Sequence, residues 1–366
     1  MSKIKYALIG FGGIAENRIA KEGFGLDSQR VGRPNYAELF GVTDVNPARR
    51  EVAEKLGMKW YEDMEAVLAA PDIQAVFIAT NNRTHAPLAT ASLEAGKHVL
   101  VDKPLAVNSD EARQLVELAQ VRNLSLSVDH MMTKNVLNRK ARDMVHSGML
   151  GTINDACFHM EFAYGYDPAE AATWRCADPG ELGGPIGDVA SHCFYMAEYI
   201  FDQRICSVAA TYYPKIMPIA VEDGALILMT LENGLTCSAR VSFRDGRGGL
   251  GGTLSGLGYE IYGSEAALRS YGTMFQLSGH ADEPIRQRLE FDTFSQQENF
   301  DIDEPVNIYQ AVIDEHAESI LAGKPIGGEE GLHNVLLCEA AHRSAFQGGS
   351  VLEIASNTAK DIFGKP

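Results

Sequence analysis

Three side chains in this sequence are of the types that acid–base chemistry requires. Asp188 and His192 are four residues apart in a predicted helix, so both side chains project from one face of it. A histidine accepts a proton near neutral pH, and a nearby carboxylate holds its tautomer or binds a hydroxyl group. Lys103 follows a short apolar segment and carries a cation that tolerates a developing alkoxide. The alternative interpretations are a surface ion pair on the helix and a solvated lysine at a strand end.

A glycine-rich turn near the N-terminus has the spacing of a dinucleotide-binding fingerprint. It follows the predicted strand Lys5–Ile9 and precedes a predicted helix, which is the context that such a site needs. Gly10 permits the tight turn, Gly12 leaves room for a pyrophosphate, and Ala15 allows close packing of helix and strand. The pyrophosphate would be held by N–H groups at the helix N-terminus, and the alternative interpretation is a structural turn. The fingerprint comprises Gly10, Phe11, Gly12, Gly13, Ile14 and Ala15.

An acidic residue at the end of the second predicted strand bears on the choice of cofactor. Asp44 would accept hydrogen bonds from the ribose hydroxyls of the adenosine and repel a 2′-phosphate. Arg49 and Arg50 follow in the next predicted helix, where either side chain could attract that phosphate. NAD is therefore predicted, with NADP as the alternative.

The elements that must position these residues alternate over the first half of the chain. Strands followed by helices form right-handed crossovers and a parallel sheet that is covered on both faces. Lys103 follows the predicted strand His98–Val101 at the carboxyl edge of this sheet, where α/β proteins bind ligands. The predicted strands are Lys5–Ile9, Glu38–Thr43, Ala75–Ala79, His98–Val101 and Leu124–Val128, and the predicted helices are Ala48–Leu56, Met64–Ala69, Ala86–Ala95 and Ser109–Val121.

The second half has the pattern of a mostly antiparallel, open sheet with helices on one face. Glu232-Asn233-Gly234 predicts a hairpin, and the glycine-rich segment Asp245–Gly258 predicts a mobile loop between strands. The fold class is therefore an α/β domain over 1–128 and an α+β domain over 129–366, whose final segment could pack back on the first. The strands are predicted at Thr152–Phe162, Ile205–Tyr213, Gly224–Leu231, Leu235–Phe243 and Tyr259–Tyr262, and the helices at Gly187–Ile200, Val306–Leu321 and 332–348.

Composition excludes several classes of partner. The chain has 366 residues, which suggests two domains, and its net charge of −17 disfavours nucleic acid and anionic membranes. We expect a cytoplasmic protein, because the sequence contains neither a secretory pattern nor an apolar segment long enough to span a bilayer. The six cysteines are far apart, and neither they nor the histidines show metal-ligand spacing, so reduced thiols and no metal are expected.

The order of several motifs resembles the glucose–fructose oxidoreductase/inositol dehydrogenase family over nearly the whole chain. The resemblance implies an N-terminal Rossmann domain, a C-terminal domain on an open sheet, bound NAD(P), and hydride exchange with a hydroxyl of a sugar, cyclitol or related polyol. Besides the fingerprint, it rests on Ala79-Thr80-Asn81-Asn82 with His85, Gly96-Lys97-His98-Val99-Leu100-Val101-Asp102-Lys103-Pro104, the helix before Ser147-Gly148, Trp174-Arg175, Gly183-Gly184 with Asp188 and His192, and the helix through Ala340-Ala341.

The same resemblance implies the roles of the site residues. Which of Lys103 and His192 finally holds the substrate proton stays open. The implied catalytic residues are Lys103, His192 and Asp188. The implied cofactor contacts are the fingerprint, Asp44, Thr80, Asn82, His85, Asp102, Lys103, Trp174 and Arg175. The implied substrate contacts are Lys103, His130, Tyr164, Asp188, His192 and Tyr195.

This chain departs from the family pattern at four positions. Asp102 is one methylene shorter than the usual glutamate, Pro185 ends the glycine run, and Thr133 stands where arginine is frequent. Tyr195 stands where many members have an aspartate, so a phenol replaces an anionic group near the substrate.

The resulting expectation is an NAD-dependent dehydrogenase for a sugar, cyclitol or glycoside hydroxyl, with C3 of a glucosyl group as one option. A redox-neutral, NAD-dependent hydrolase or lyase and a non-catalytic NAD sensor are the alternatives. We also expect a homo-oligomer, because an open sheet leaves one face that needs cover.

Overall fold

The computed structural model describes residues 3–29, 31–245, 256–275, 287–302, 304 and 306–354. The chain divides into two compact units. The first comprises Met1–Met131 and Asn307–Leu332, and the second comprises Met132–Val306 and His333–Pro366. Most of the glycine-rich segment that was predicted as a mobile loop, residues 246–255, lies outside the described residues.

The first unit is built on a six-stranded parallel sheet, which confirms the predicted α/β class. The strand order is β3-β2-β1-β4-β5-β6, and every neighbouring pair is parallel. The apolar side chains of the central strands are buried on both faces, as a doubly covered sheet requires. The strands are β1 (Ile4–Ile9), β2 (Ala37–Thr43), β3 (Lys59–Trp60), β4 (Ala75–Ile78), β5 (His98–Val101) and β6 (Leu126–Val128).

Local capping residues explain where several helices of this unit begin. The Asp63 carboxylate accepts a hydrogen bond from Ala66 N (2.8 Å), and Asn108 accepts one from Glu111 N (2.9 Å). The helix after the glycine turn, Ala15–Gly23, is a π-helix, in which Phe24 N donates to Ile19 O at 2.8 Å. The α-helices are α1 (Arg50–Lys55), α2 (Met64–Leu68), α3 (Asn82–Glu94) and α4 (Ser109–Arg122).

The second unit contains a nine-stranded sheet in the order β14-β13-β12-β11-β7-β10-β9-β8-β15. Its pairs are antiparallel except β7 with β10, and the predicted hairpin joins β9 to β10 with Gly234 at φ 86°. The strands are β7 (Ile153–Glu161), β8 (Ile205–Tyr212), β9 (Gly224–Leu231), β10 (Thr236–Ser242), β11 (Leu257–Gly263), β12 (Ala266–Tyr271), β13 (Arg288–Thr293), β14 (Gln297–Phe300) and β15 (Leu352–Glu353).

Helices cover one face of this sheet. The Tyr259 ring contacts Phe158 on the covered face, and its hydroxyl donates to Asn138 Oδ1 at 3.0 Å. The helices are α5 (Val136–His146), α6 (Pro168–Ala171), α7 (Trp174–Ala177) and α8 (Ser191–Phe201), and the π-helix Pro185–Ala190 leads directly into α8.

The chain returns to the first unit through α9 (Ile308–Leu321) and then continues into α10 (Glu329–Phe346). The Asp314 carboxylate in α9 accepts hydrogen bonds from Asn35 N and Tyr36 N, both at 2.9 Å, just before β2. Within the described residues, none of the helices has the length and apolar character that crossing a bilayer would require.

Candidate functional site

The carboxyl edge of the parallel sheet gathers the residues predicted for the cofactor. Gly10, Asp44 and Thr80 follow the ends of β1, β2 and β4, and Lys103 and His130 follow those of β5 and β6. Because carboxyl ends of parallel strands share one edge, these residues lie along a single border of the first unit.

The glycine turn leaves an open cradle at the start of the π-helix. Gly10 has φ 89°, and a Cβ there would lie 2.6 Å from Thr80 Cγ2 and 2.7 Å from Ala79 O, so a larger residue does not fit. A Cβ at Gly12 or Gly13 would meet no atom within 4 Å. The open space over N–H groups at a helix N-terminus fits a dinucleotide pyrophosphate.

Asp44 is tied to this turn by hydrogen bonds. Its Oδ2 accepts from Phe11 N at 2.5 Å, and its Oδ1 accepts from Asn46 N at 2.7 Å. The carboxylate therefore shapes the turn in addition to the ribose contact predicted from the sequence, which stays a prediction.

Arg49 is held beside the same turn. Its Nε donates to Phe11 O at 2.7 Å, and its guanidinium lies 4.9 Å from the centre of the Phe11 ring. It also forms an ion pair with Glu16, and the hydrogen bonds from Lys21 and Arg49 hold the pKa of the Glu16 carboxyl below its usual value. Arg49 is thus engaged by protein groups beside the glycine turn.

Lys103 is only 6% exposed, which rules out the solvated lysine considered above. It is joined to Pro104 by a cis peptide bond, and the Nδ1–H of His85 donates to Pro104 O at 2.7 Å. The Nε2 of His85 is 3.3 Å from Thr80 O. His85 is fully buried, so it links the end of β4 to the segment that carries Lys103. Direct contact of His85 with a cofactor stays a prediction.

Tyr309 in α9 is a polar group at this edge that the sequence analysis did not identify. Its ring is buried, and its hydroxyl has no hydrogen-bond partner among the described residues. Burial, and then the negative charge of Asp129, raise the pKa of this phenol well above its usual value. An unsatisfied buried hydroxyl is costly, so Tyr309 is a candidate to donate a hydrogen bond to a bound group. No local signal points to it, because nearly 180 residues separate it from Asp129.

In the second unit, Asp188 lies in the π-helix and is paired with Arg175. Arg175 Nε is 3.4 Å from Asp188 Oδ1, and its guanidinium is 4.3 Å from the centre of the Trp174 ring. The predicted cofactor residues Trp174 and Arg175 are thus connected to the predicted catalytic carboxylate within this unit. Their contact with the nicotinamide stays a prediction.

His192 lies in α8, and its Nδ1 is 2.7 Å from the hydroxyl oxygen of Tyr195. The two rings meet edge to face, 5.4 Å apart. His192 is 1% exposed and Asp188 is also buried, so the surface ion pair considered above is wrong for these side chains. The phenol of Tyr195, which the sequence analysis assigned to the substrate, is in position to orient the His192 ring.

The glycine pair before the π-helix makes room for a carboxylate. Gly184 has φ 71°, and a Cβ there would lie 2.6 Å from Glu222 Oε2. Glu222 Oε1 accepts from Ile186 N at 2.8 Å and so anchors the start of the π-helix that carries Asp188. The sequence analysis did not identify Glu222, which comes 38 residues after Gly184 in the printed sequence.

Tyr164 belongs to an aromatic cluster. Its ring contacts those of Phe162 and Phe243, and its hydroxyl is 3.3 Å from Thr173 Oγ1. By contrast Tyr166, from the same loop, is 57% exposed. The prediction that Tyr164 contacts a sugar ring is not tested by these contacts.

Comparison with known proteins supports the identity of both parts of the chain. Residues 4–130 match the family model described as an oxidoreductase family with an NAD-binding Rossmann fold. Residues 138–269 match the GFO/IDH/MocA C-terminal domain.

Three known proteins illustrate the similarity. A 1,5-anhydro-D-fructose reductase from Ensifer adhaerens is 27% identical over 215 residues, covering 58% of this chain and 61% of the reductase. The myo-inositol 2-dehydrogenase of Thermotoga maritima is 24% identical, covering 86% of this chain and 91% of the dehydrogenase. A 3-ketoreductase from Actinomadura kijaniata, solved with TDP-benzene and NADP, superposes with a TM-score of 0.76 at 20% identity, covering 94% of this chain and 98% of that structure.

The first curated relatives are matched over only part of their own length. The chain spans between 60% and 63% of the first curated relatives that it matches. The two family models, taken with the open glycine cradle and the strand-end lysine, nevertheless agree on one assignment. The chain belongs to the GFO/IDH/MocA family of oxidoreductases with an NAD-binding Rossmann domain.

Proposed function

We propose that this protein is an NAD-dependent oxidoreductase that transfers hydride between nicotinamide and a secondary hydroxyl of a sugar, cyclitol or glycoside. The observation that carries the proposal is Lys103, a buried cation on the same sheet edge as the glycine cradle. The names of the relatives, a sugar reductase and an inositol dehydrogenase, support this substrate class.

Lys103 supplies positive charge to the reacting oxygen. NAD, when bound, accepts the hydride that leaves the substrate carbon. The Lys103 ammonium donates a hydrogen bond to the substrate hydroxyl, lowers its pKa and stabilises the alkoxide that develops. The hydrogen bond from His85 to Pro104 O fixes the backbone next to this amine.

His192 accepts the hydroxyl proton while Lys103 stays an ammonium. The alternative is that Lys103 begins as the neutral amine and becomes the ammonium by accepting that proton. When the Nδ1–H of His192 donates to the Tyr195 oxygen, the lone pair on Nε2 is the basic site of the ring. Asp188 then holds Arg175 or binds a second substrate hydroxyl. Both assignments agree with the sequence prediction for Lys103, Asp188 and His192.

The cofactor preference follows from the charges around the turn. The Asp44 carboxylate places negative charge where a 2′-phosphate would bind, and Arg49 is already paired with Glu16. We therefore propose NAD in preference to NADP. The NADP in the structure of the Actinomadura kijaniata protein represents the alternative.

A reduction screen tests the reaction. NAD and the purified protein are incubated with cyclitols, aldoses and glucosides, and NADH absorbance is followed. Stoichiometric NADH with one substrate group supports the dehydrogenase. Substrate cleavage without accumulation of NADH would support the redox-neutral hydrolase or lyase instead. NAD binding with neither outcome across the screen would favour the sensor.

A further inference from the structure

A cluster of potential metal ligands joins two neighbouring strands of the second unit. Cys157 and His159 lie on β7, and Glu260 lies on β11 directly opposite Cys157 in the strand register. One ligand atom from each of these residues lies within 4.8 Å of the others. His159 Nε2 is 3.0 Å from Glu260 Oε2.

The cluster lies on the face of the sheet opposite to the helices. Side chains alternate between faces along a strand, and Phe158 projects to the covered face with Tyr259. Cys157, His159 and Glu260 therefore project to the other face. Cys157 and Glu260 are half-buried, so small solutes can reach them. The cluster is separate from Asp188 and His192, which belong to the helical layer.

A buried carboxylate contacts the other nitrogen of the histidine ring. Glu161 Oε2 is 3.4 Å from His159 Nδ1, on the side of the ring opposite to Glu260, and Glu161 is 1% exposed. Histidines that bind a metal through one ring nitrogen usually donate the other N–H to a carboxylate or a carbonyl, which fixes the tautomer. This arrangement leaves Nε2 on the Glu260 side of the ring.

We propose that Cys157, His159 and Glu260 bind one Zn²⁺ ion, with Glu161 as the carboxylate that orients His159. A thiolate, an imidazole and a carboxylate form a donor set suited to Zn²⁺ rather than to Mg²⁺ or Ca²⁺, which prefer oxygen ligands. Ligand atoms on tetrahedral zinc are roughly 3.3 to 3.8 Å apart, so only small side-chain movements are needed. Water occupies the fourth position, and the ion links β7 to β11.

Zinc binding balances the local charge. Zn²⁺ displaces two protons to the solvent, one from the Cys157 thiol and one from Nε2 of the His159 ring, which the neighbouring carboxylates hold as a cation in the metal-free chain. The Cys157 thiolate and the Glu260 carboxylate then neutralise the divalent ion. The proposal departs from the sequence expectation of no metal. The two β7 residues are too close in sequence to suggest a known ligand motif, and the third ligand comes about 100 residues later.

The competing explanation is an ion-pair network without metal. Arg240 lies opposite His159 on β10, and Arg269 lies opposite Glu260 on β12. In that case His159 bridges Glu161 and Glu260 as a cation. Burial lowers the pKa of this ring, but its hydrogen bonds with Cys157, Glu161 and Glu260 outweigh that effect and raise the pKa to about 11.

Cobalt provides a spectroscopic test. Chelator-treated protein is titrated with Zn²⁺ against a chromophoric competitor, and Co²⁺ is added in a parallel experiment as the probe. We expect one ion per chain and a tetrahedral Co²⁺ spectrum with a thiolate charge-transfer band. Cys157→Ser should abolish that band, whereas Cys206→Ser, at a half-buried cysteine of β8 in the same sheet, should retain it. Absence of stoichiometric binding, or a spectrum unchanged by Cys157→Ser, would overturn the site.

A second measurement needs no variant at Cys157. Alkylation of Cys157 and Cys206 is followed by mass spectrometry in the unmodified protein, with and without Zn²⁺. We expect protection of Cys157 alone. Glu161→Gln should weaken Zn²⁺ binding by about 10- to 100-fold, the range found for partners of metal-binding histidines. Equal alkylation of Cys157 with and without Zn²⁺ would leave the ion-pair network as the explanation. None of these readouts depends on the proposed hydride transfer.

Discussion

The Tyr6 hydroxyl and the Nδ1 of His316 share a hydrogen bond of 2.7 Å, although 310 positions separate the two residues in the sequence. Tyr6 is in β1 and His316 is in α9, and both are buried. A single buried bond thus attaches the returning helix to the first strand of the nucleotide-binding sheet. Burial disfavours the charged form of this imidazole, so His316 is neutral in the folded chain.

The stability of the first unit should therefore fall in acid. Burial, and then the charge of His98, lower the pKa of His316 to about 3, whereas an unfolded histidine titrates near 6.5. Because the pKa of His316 is lower in the folded chain, its contribution to stability is complete above about pH 6.5 and is lost as the pH falls toward 3. As the pH falls from 7 to 5, His316 should therefore lower the free energy of unfolding by about 2 kcal/mol. Urea unfolding across that range measures it.

The matched comparison for this prediction is a pair of histidine variants. His316→Gln should lower stability at pH 7 and flatten its decrease toward pH 5. His146→Gln, at an exposed residue of α5, should preserve the slope of the unmodified protein. An unchanged slope in His316→Gln would show that other groups cause the acid sensitivity.

Lys103→Met should abolish most turnover and preserve NAD binding. The substitution removes the charge that we propose stabilises the alkoxide, so kcat should decrease by about 10²- to 10⁴-fold. Cofactor contacts at the glycine turn and Asp44 remain. Steady-state kinetics and calorimetric NAD titration measure the two effects.

Lys97 is the control for this lysine. It is also buried, but its Nζ donates to Ala70 O and Ile73 O at 2.9 and 2.7 Å, which is a structural role. Lys97→Met should lower the unfolding temperature with little change in kcat of the folded enzyme. If Lys103→Met retains turnover within about threefold, far below the loss expected for such a group, the chemistry belongs to other residues.

Asp44→Asn should shift the cofactor preference toward NADP. The amide oxygen can still accept a bond from Phe11 N, but the negative charge that repels a 2′-phosphate is gone. Asp44→Ala should in addition weaken binding of both cofactors, because the turn loses its anchor. Fluorescence titration with NADH and NADPH measures the preference. Tighter binding of NADPH by the unmodified protein would contradict the assignment.

Tyr195→Phe should slow turnover moderately. It removes the hydroxyl that orients His192, a bond worth about 1 kcal/mol, or about fivefold in rate. Tyr212→Phe is the matched control, because the Tyr212 hydroxyl is 2.8 Å from Nδ1 of His342 in the same unit. Only Tyr195→Phe should alter the pH profile of kcat. Identical profiles for both variants would remove Tyr195 from the mechanism.

Part of the second sheet was not predicted from the sequence for a physical reason. β12, β13 and β14 are only four to six residues long, so even the alternation of Leu289 and Phe291 with charged residues in β13 is a weak signal. Ion pairs such as Arg269 with Asp292 join β12 to β13. Such pairs are visible only when the partner strand is known. The homo-oligomer expected from an open sheet stays a prediction.

The sequence by itself determined the features that depend on neighbouring residues. The alternation of strands and helices, the fingerprint from Gly10 to Ala15 and the hairpin at Gly234 are local, because periodicity and glycine conformation act over a few residues. The position of Lys103 after β5 followed from the same alternation. These features were sufficient for the α/β class, whereas the family was predicted from the resemblance of several motifs in their order along the chain.

Tertiary structure decided what depends on distant partners. The pairing of Tyr6 with His316, the support of Pro104 by His85 and the anchoring of the Asp188 helix by Glu222 join residues that are 19 to 310 positions apart. The assembly of Cys157, His159 and Glu260 likewise depends on the register of two strands. Burial and hydrogen bonding select such partners only in the folded chain, because no local preference of the backbone encodes them.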